Sequence, residues 1–351
     1  MMKNIKYILP LLTVLIISCK KRPGPEPTDP SVIPMQEYFK VFIGCEGSFG
    51  SANGSVSAYS PSTKEITNSY YQSMNGLALG DIVQSIEEID GKNYIVVNNS
   101  GKIEIVDTAK FENTGTINGF SSPREIKKTS SNTAYVSDLF SNSIQVVDLT
   151  TNSIINSISV SGWTESILVQ NAISYITCPG SNLVYKVDNT NHILLDSTST
   201  NDSPMNIIAD KNGDLWVLCS GQWGTNSATL ERINTSSLAI FQVDTVINLN
   251  SSASKLCTND AADILYWIDG GVNSMSVDQV GAINTVISIT SSGLGSSSNL
   301  YGLGIQETTG NIYATDAIDW TQAGKLYVFD NIGTLLDSAT TGIAPQAIHF
   351  R

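Results

Sequence analysis

Short runs that alternate apolar and polar side chains recur along this chain with a period of two, the signature of half-buried β-strands. In one such phrase, YVSD (135–138) is followed by a polar turn and then by IQVVD (144–148). The phrase returns at 94–97 with 102–107, 175–178 with 184–188, 216–219 with 229–234, 266–269 with 274–278, and 313–316 with 325–330. Near the start, 42–45 precedes 55–60. The phrases therefore end at Ser60, Asp107, Asp148, Asp188, Asn234, Asp278 and Asp330, which are 40 to 52 residues apart. A short oxygen-bearing side chain at that position bonds the backbone two residues on and starts a tight turn. A further strand is expected after it, as at 154–160, and an earlier one before each pair, as at 124–126, 166–169, 206–209 and 301–305.

Four strands in every 40 to 52 residues predict an all-β fold, a seven-bladed β-propeller of four-stranded blades. Residues 41–60 supply strands of a first blade with no innermost strand before them, and 344–350 read as an opening strand with nothing after it. Pairing the two termini would close the ring and remove sheet edges that invite aggregation. Outside the N-terminus no segment holds a helical period.

The N-terminus stands apart. Lys3 and Lys6 precede an apolar run over 7–17 that is too short to span a bilayer and reads as a secretory signal. It ends in Ser18-Cys19, which resembles a bacterial lipobox with Cys19 as the lipidated residue; the alternative is an ordinary signal peptide with a chance cysteine. Five of the eleven prolines then fall within 20–34, as expected of an extended spacer. The organisation is thus a signal over 1–18, an anchor and linker over 19–37, and a propeller over 38–351. Membrane attachment would be through the lipid. A formal net charge of −13 argues against nucleic acid as a partner, since that class needs a basic footprint.

The stretches VVNNSGKIEIVD (96–107), SPREI (122–126), YVSDLFSNSIQVVD (135–148) and APQAI (344–348) resemble the YncE-like seven-bladed propellers found as cell-surface lipoproteins. EGSFGSANGSVSAYSP (46–61) with LGDIVQSI (79–86) is similar to surface propeller lipoproteins of the BtuG type. That resemblance implies capture of a corrinoid such as cobalamin for an outer-membrane TonB-dependent transporter, uptake without chemistry, and an outer-membrane location at the cell surface. The basic Lys20-Lys21-Arg22 after the lipid cysteine leaves the periplasmic side open as well.

The repeat also sorts candidate sites. Phe42, Tyr94, Tyr135, Tyr175, Trp216, Tyr266 and Tyr313 share one position, so they are expected to pack between blades. Three residues later come Cys45, Val97, Asp138, Cys178, Cys219, Asp269 and Asp316. The cysteines there, and Cys257, read as small buried thiols, although an exported compartment permits a bridge. The aspartates either cap their own turns or form a polar ring around a ligand. Phe49, Phe140, Trp223 and Trp320 lie in loops outside the strand repeat, and Trp163, Arg124 and Tyr301 lie at or near blade connections on the same side. Flat apolar rings with a polar edge suit a large planar or sugar-like ligand. On this reading Phe49, Phe140, Trp163, Trp223, Tyr301 and Trp320 form the ligand face, with Arg124, Asp138 and Asp316 bonding its polar groups. No catalytic residue, resident cofactor or metal ligand is assigned. His192 and His349, the two histidines, lie apart from that face in this reading. An envelope scaffold or adhesin binding protein or glycan is the main alternative, with a metal-dependent lactonase behind it.

Overall fold

The computed structural model describes residues 40–222, 226–235, 241–250, 253–289, 294 and 298–351. They form seven four-stranded antiparallel sheets. The inner strands are Pro345–Phe350 in blade 1, Val83–Ile89 in blade 2, Pro123–Lys128 in blade 3 and Ile167–Gln170 in blade 4. Those of blades 5, 6 and 7 are Pro204–Ala209, Ser254–Thr258 and Leu300–Ile305. Each inner strand touches that of the next blade, and Pro345–Phe350 touches both Val83–Ile89 and Leu300–Ile305, so the ring is closed. Blade 1 closes as expected: Pro345–Phe350 pairs antiparallel with Val41–Cys45, with Ile43 opposite Ile348.

The repeated aromatics do what the repeat implies. Phe42, Tyr135, Trp216 and Tyr313 are at most 1 % exposed, within apolar clusters that join neighbouring blades. Packing is close where blade 7 meets the closing strand. A Cβ on Gly302 would sit 2.6 Å from the Gln346 carbonyl oxygen, so only glycine allows that approach.

The acids that end the third strands also keep to the expected role. The Asp148 carboxylate accepts from the Thr150 and Thr151 N–H groups, and that of Asp330 from Ile332 and Thr334. These backbone donors stabilise the charged form, and both carboxyls titrate below their ordinary value.

Blade 1 departs from the expected pattern, while the cysteines keep to theirs. Blade 1 has only a three-residue outer strand, Glu65–Thr67, and a short helix, Tyr70–Asn75, follows it. Tyr71 and Tyr70 of this helix pack on the cluster containing Phe42 and Phe111, so burial and not helical periodicity fixes it. The four cysteines within the propeller are free thiols, and burial pushes Cys45 to about 11 and Cys257 to about 12.

Antiparallel connection gives the wheel two unlike faces. Turns between first and second strands, and between third and fourth, lie on one, the hairpin face. Loops between second and third strands lie on the other, the loop face, with the blade-to-blade connections.

Candidate functional site

The inner strands enter the ring from the loop face, and six of the seven carry a register irregularity at that end. The extra residue is Gln84 opposite the 96–97 step, Met205 opposite 218–219, Tyr301 opposite 315–316 and Gln346 opposite 44–45. In blades 3 and 6 the irregularity spans Arg124-Glu125 and Lys255-Leu256. Blade 4 has its equivalent just before the strand: Thr177 accepts from Glu165 N–H and donates to the Ser166 carbonyl. Bulges re-aim side chains and favour the neighbourhood of functional sites. Lys255 even adopts a left-handed φ of 58°.

The side chains presented this way form a hydrogen-bonded arc around the channel mouth. Arg124 donates from Nε and Nη2 to both Glu165 oxygens, at 2.7 and 2.6 Å, and from Nη1 to Gln84 Oε1 at 2.6 Å. Gln346 Nε2 donates to the Gln84 carbonyl at 3.0 Å, and its Oε1 accepts from Lys255 Nζ at 2.8 Å. The Lys255 ammonium lies 5.6 Å from the centre of the Tyr301 ring. The Tyr301 hydroxyl donates to Glu46 Oε1 at 2.8 Å, and Trp320 meets the Tyr301 ring edge-on at 6.0 Å.

Charge here is concentrated and partly buried. Burial depresses the Lys255 pKa, with Glu165 opposing and Arg124 reinforcing the shift. Burial also raises Glu46 against the Tyr301 hydrogen bond. For Arg124 burial is outweighed by Glu165, and its pKa rises. Among the described residues the Lys255 ammonium makes one hydrogen bond with its three N–H donors. Polar groups fixed in advance by hydrogen bonds favour tight binding, because little freedom is left to lose.

The structure distributes the expected ligand residues in three ways. Arg124, Tyr301 and Trp320 belong to the mouth. Phe49 and Phe140 are loop tips on the same face, 79 % and 76 % exposed. Trp163 is half-buried against its own blade, where a Cβ on Gly180 would meet its ring at 2.7 Å. Trp223 lies outside the described residues.

Asp138 and Asp316 require a correction. Both are buried, and backbone donors occupy their carboxylates. Asp138 accepts from Ser121, Ser122 and Phe140 N–H, and Asp316 from Asn299 and Ile318 N–H. They shape the loops that carry Phe140 and Trp320, the turn-capping alternative of the sequence reading. In the second loop Ile318 and Trp320 have φ of 58° and 59°, a costly geometry for such side chains.

Glu46, Gln84, Glu165, Lys255 and Gln346 escaped the sequence reading. The available signal was a recurrent step into the inner strand, directly after proline in SPREI, SPMNI and APQAI. Neither histidine belongs to the mouth: His192 Nδ1 lies 2.8 Å from the Tyr135 hydroxyl, and His349 stacks on Phe42. Among the described residues, no group of three or more His, Cys, Asp or Glu side chains is arranged to hold a metal.

These features define a seven-bladed propeller with a charged, aromatic-edged mouth on its loop face. The chain belongs to the DUF5074 family, described as a domain of unknown function, which matches residues 40–341. No curated protein matches it. Solved structures share the fold at low identity. A quinonprotein alcohol dehydrogenase-like protein from Bacteroides thetaiotaomicron is 16 % identical with a TM-score of 0.68, over 90 % of this chain and 78 % of that one. Periplasmic gluconolactonase from Pseudomonas aeruginosa is 11 % identical with a TM-score of 0.67, over 89 % and 98 %. Kuenenia stuttgartiensis hydrazine synthase is 16 % identical with a TM-score of 0.65, over 76 % and 88 %.

Proposed function

We propose that this protein is a lipid-anchored envelope receptor that captures a bulky ligand at its loop-face mouth without chemical turnover. It hands that ligand to an outer-membrane TonB-dependent transporter, and a corrinoid such as cobalamin is the ligand. The observation that carries the reading is the arc Glu165–Arg124–Gln84–Gln346–Lys255, flanked by Tyr301, Glu46 and Trp320. It combines fixed donors and acceptors with a flat aromatic edge, as a large ligand rich in amide-like groups requires.

The corrinoid assignment rests on the resemblance over 46–61 and 79–86. Those two stretches are bonded together at the mouth. Ile82 N–H donates to the Glu46 carbonyl at 3.1 Å, Gly54 N–H to the Gly80 carbonyl at 2.8 Å, and Gly50 N–H to Asp81 Oδ2 at 2.7 Å. Arg351 N–H donates to the Lys40 carbonyl on the hairpin face, so the first described residue of the propeller lies on the face opposite the mouth.

A scaffold or adhesin role is the second reading, favoured by the exposure of Phe49 and Phe140 at loop tips. Gel filtration with a coloured corrinoid separates the two. A receptor carries colour in its own elution volume, and Trp320→Ala reduces it. A protein that elutes colourless at micromolar corrinoid rejects the receptor reading in favour of the scaffold.

A further inference from the structure

Blades 4 and 5 meet at a polar cleft on the loop face, with a volume of about 470 Å³. This lies within the usual range for a small-molecule site, about 300–1,000 Å³. Three segments wall it: the blade connection at Thr200, Asn201 and Asp202, the loop at Asn226 and Ser227 that leads into Thr229, and Asn248 at the end of the outer strand Val243–Asn248. Every described lining side chain carries an amide, a hydroxyl or a carboxylate. None is apolar, none is Lys or Arg, and none belongs to the mouth.

The walls are held in place. Asp202 Oδ1 accepts from Asn182 Nδ2 at 2.7 Å and its Oδ2 from Asn226 Nδ2, so two amides fix the carboxylate. The Asn226 and Gln222 backbones bond reciprocally at 3.1 and 3.2 Å, and Gly221 N–H donates to the Asp202 carbonyl at 3.0 Å. Gly221 has φ of 71°, and a Cβ there would sit 2.4 Å from the Asn226 carbonyl oxygen, so this turn needs glycine. The buried Glu231 accepts through Oε1 from Asn201 N–H at 3.1 Å and Thr229 Oγ1 at 2.9 Å. Among the described residues neither Asp202 nor Glu231 forms an ion pair. Among them, too, the Ser227 hydroxyl and the Asn248 amide make no hydrogen bond, and Asn226 keeps one amide proton and its side-chain oxygen uncommitted.

We propose that this cleft binds a neutral hexose unit of a glycan. Each hexose hydroxyl both donates and accepts. One can give its proton to the Asp202 carboxylate, a charge-assisted bond, while its neighbour accepts from Asn226 or Asn248. The two carboxylates repel an anion, and a lining without apolar side chains gives a hydrocarbon nothing to cover. Walls fixed in advance reduce the freedom lost on binding. The inference does not rest on the corrinoid reading of the mouth.

The test is saturation-transfer NMR titration of the protein at neutral pH with the methyl glycosides of glucose, galactose and mannose, each beside its uronate. At least one neutral glycoside is expected to bind at millimolar concentration, and its uronate at least about ten-fold more weakly, because the added carboxylate meets Asp202. Asp202→Asn should shrink that margin. Asn248→Ala, at an exposed side chain without a partner, should weaken the neutral glycoside several-fold. Lys255→Met, in the mouth, should leave it unchanged. The ordering on wild-type protein is decisive even if a variant folds poorly. No transfer to any neutral glycoside at tens of millimolar, a uronate bound as tightly as its neutral counterpart, or undiminished binding in a folded Asn248→Ala protein each overturns the proposal. Heat with calcium and no response to sugar would give the cleft to a cation and overturn it as well.

Discussion

The loop face and the hairpin face come from the same repeat and differ in what the repeat leaves free. On the hairpin face one position is held to one job: the acid ending the third strand, as at Asp148, Asp188 and Asp330, accepts from the turn that follows. On the loop face the entry position of the inner strand is occupied by Gln84, Arg124, Glu165, Met205, Lys255, Tyr301 and Gln346 in turn. A seven-fold scaffold thus carries an asymmetric mouth, polar round most of its circumference and apolar at Met205. Side chains uniform around the ring are explained by packing or turn geometry. Chemistry sits where the ring is least uniform.

That contrast can be broken experimentally, and the largest effect belongs to the mouth's ion pair. Arg124→Met leaves Glu165 buried without its partner and should cost about 3–5 kcal/mol in urea unfolding. Pairing it with Glu165→Gln should recover a substantial part, because the stranded charge is gone. If the single and double variants lose equal stability, the pair is not what holds the mouth.

The next effect is a pH dependence seated deep in the channel. Burial, with Lys127 and Arg351 nearby, lowers His349 from its ordinary 6.5 to about 4. Between those values the unfolded chain binds the proton and the folded one resists it. Its share of stability is therefore complete above about pH 6.5 and is lost as pH falls toward 4, by up to about 3 kcal/mol. Unfolding curves for wild type and His349→Phe should diverge across that window; parallel curves would show that His349 is hydrated.

A smaller loss separates loop builder from loop tip. Asp138→Asn turns one of two buried acceptor oxygens into a donor facing backbone N–H groups and should cost about 1–3 kcal/mol, whereas Phe140→Ala should stay within about 0.5 kcal/mol. Equal losses in thermal unfolding would place Phe140 in the packing and dissolve the distinction. Least of all should happen at the cysteines. Burial raises Cys219 to about 12, so its thiol should react with an aromatic disulfide only as the protein unfolds.

The fold was legible because propeller blades repeat a pattern that local side chains enforce. Period-two runs, a turn-forming oxygen at the end of each third strand and an orphan strand at the C-terminus are features of neighbouring residues. The mouth was legible only in part. Arg124 and Tyr301 stood out at blade connections, but Gln84, Lys255 and Gln346 come together only after the ring closes and a bulge turns each toward the axis. Asp138 and Asp316 misled for the converse reason: a carboxylate at a loop mouth suits both a ligand and the loop's own N–H groups, and burial settles which. The helix at Tyr70–Asn75 carried no period because two tyrosines and their contacts with Phe42 and Phe111 fix it.

The central claim is that the ligand sits on the loop face, on the side chains aimed inward at the entry of each inner strand. Calorimetric titration of cobalamin into wild type, Lys255→Met and Asp148→Asn addresses it directly, since the first variant alters the mouth and the second a turn on the hairpin face. Lys255→Met should weaken binding by at least about ten-fold, the value of one charge-assisted contact, while Asp148→Asn leaves it unchanged. Undiminished affinity in a folded Lys255→Met protein, or a loss confined to Asp148→Asn, would contradict the account.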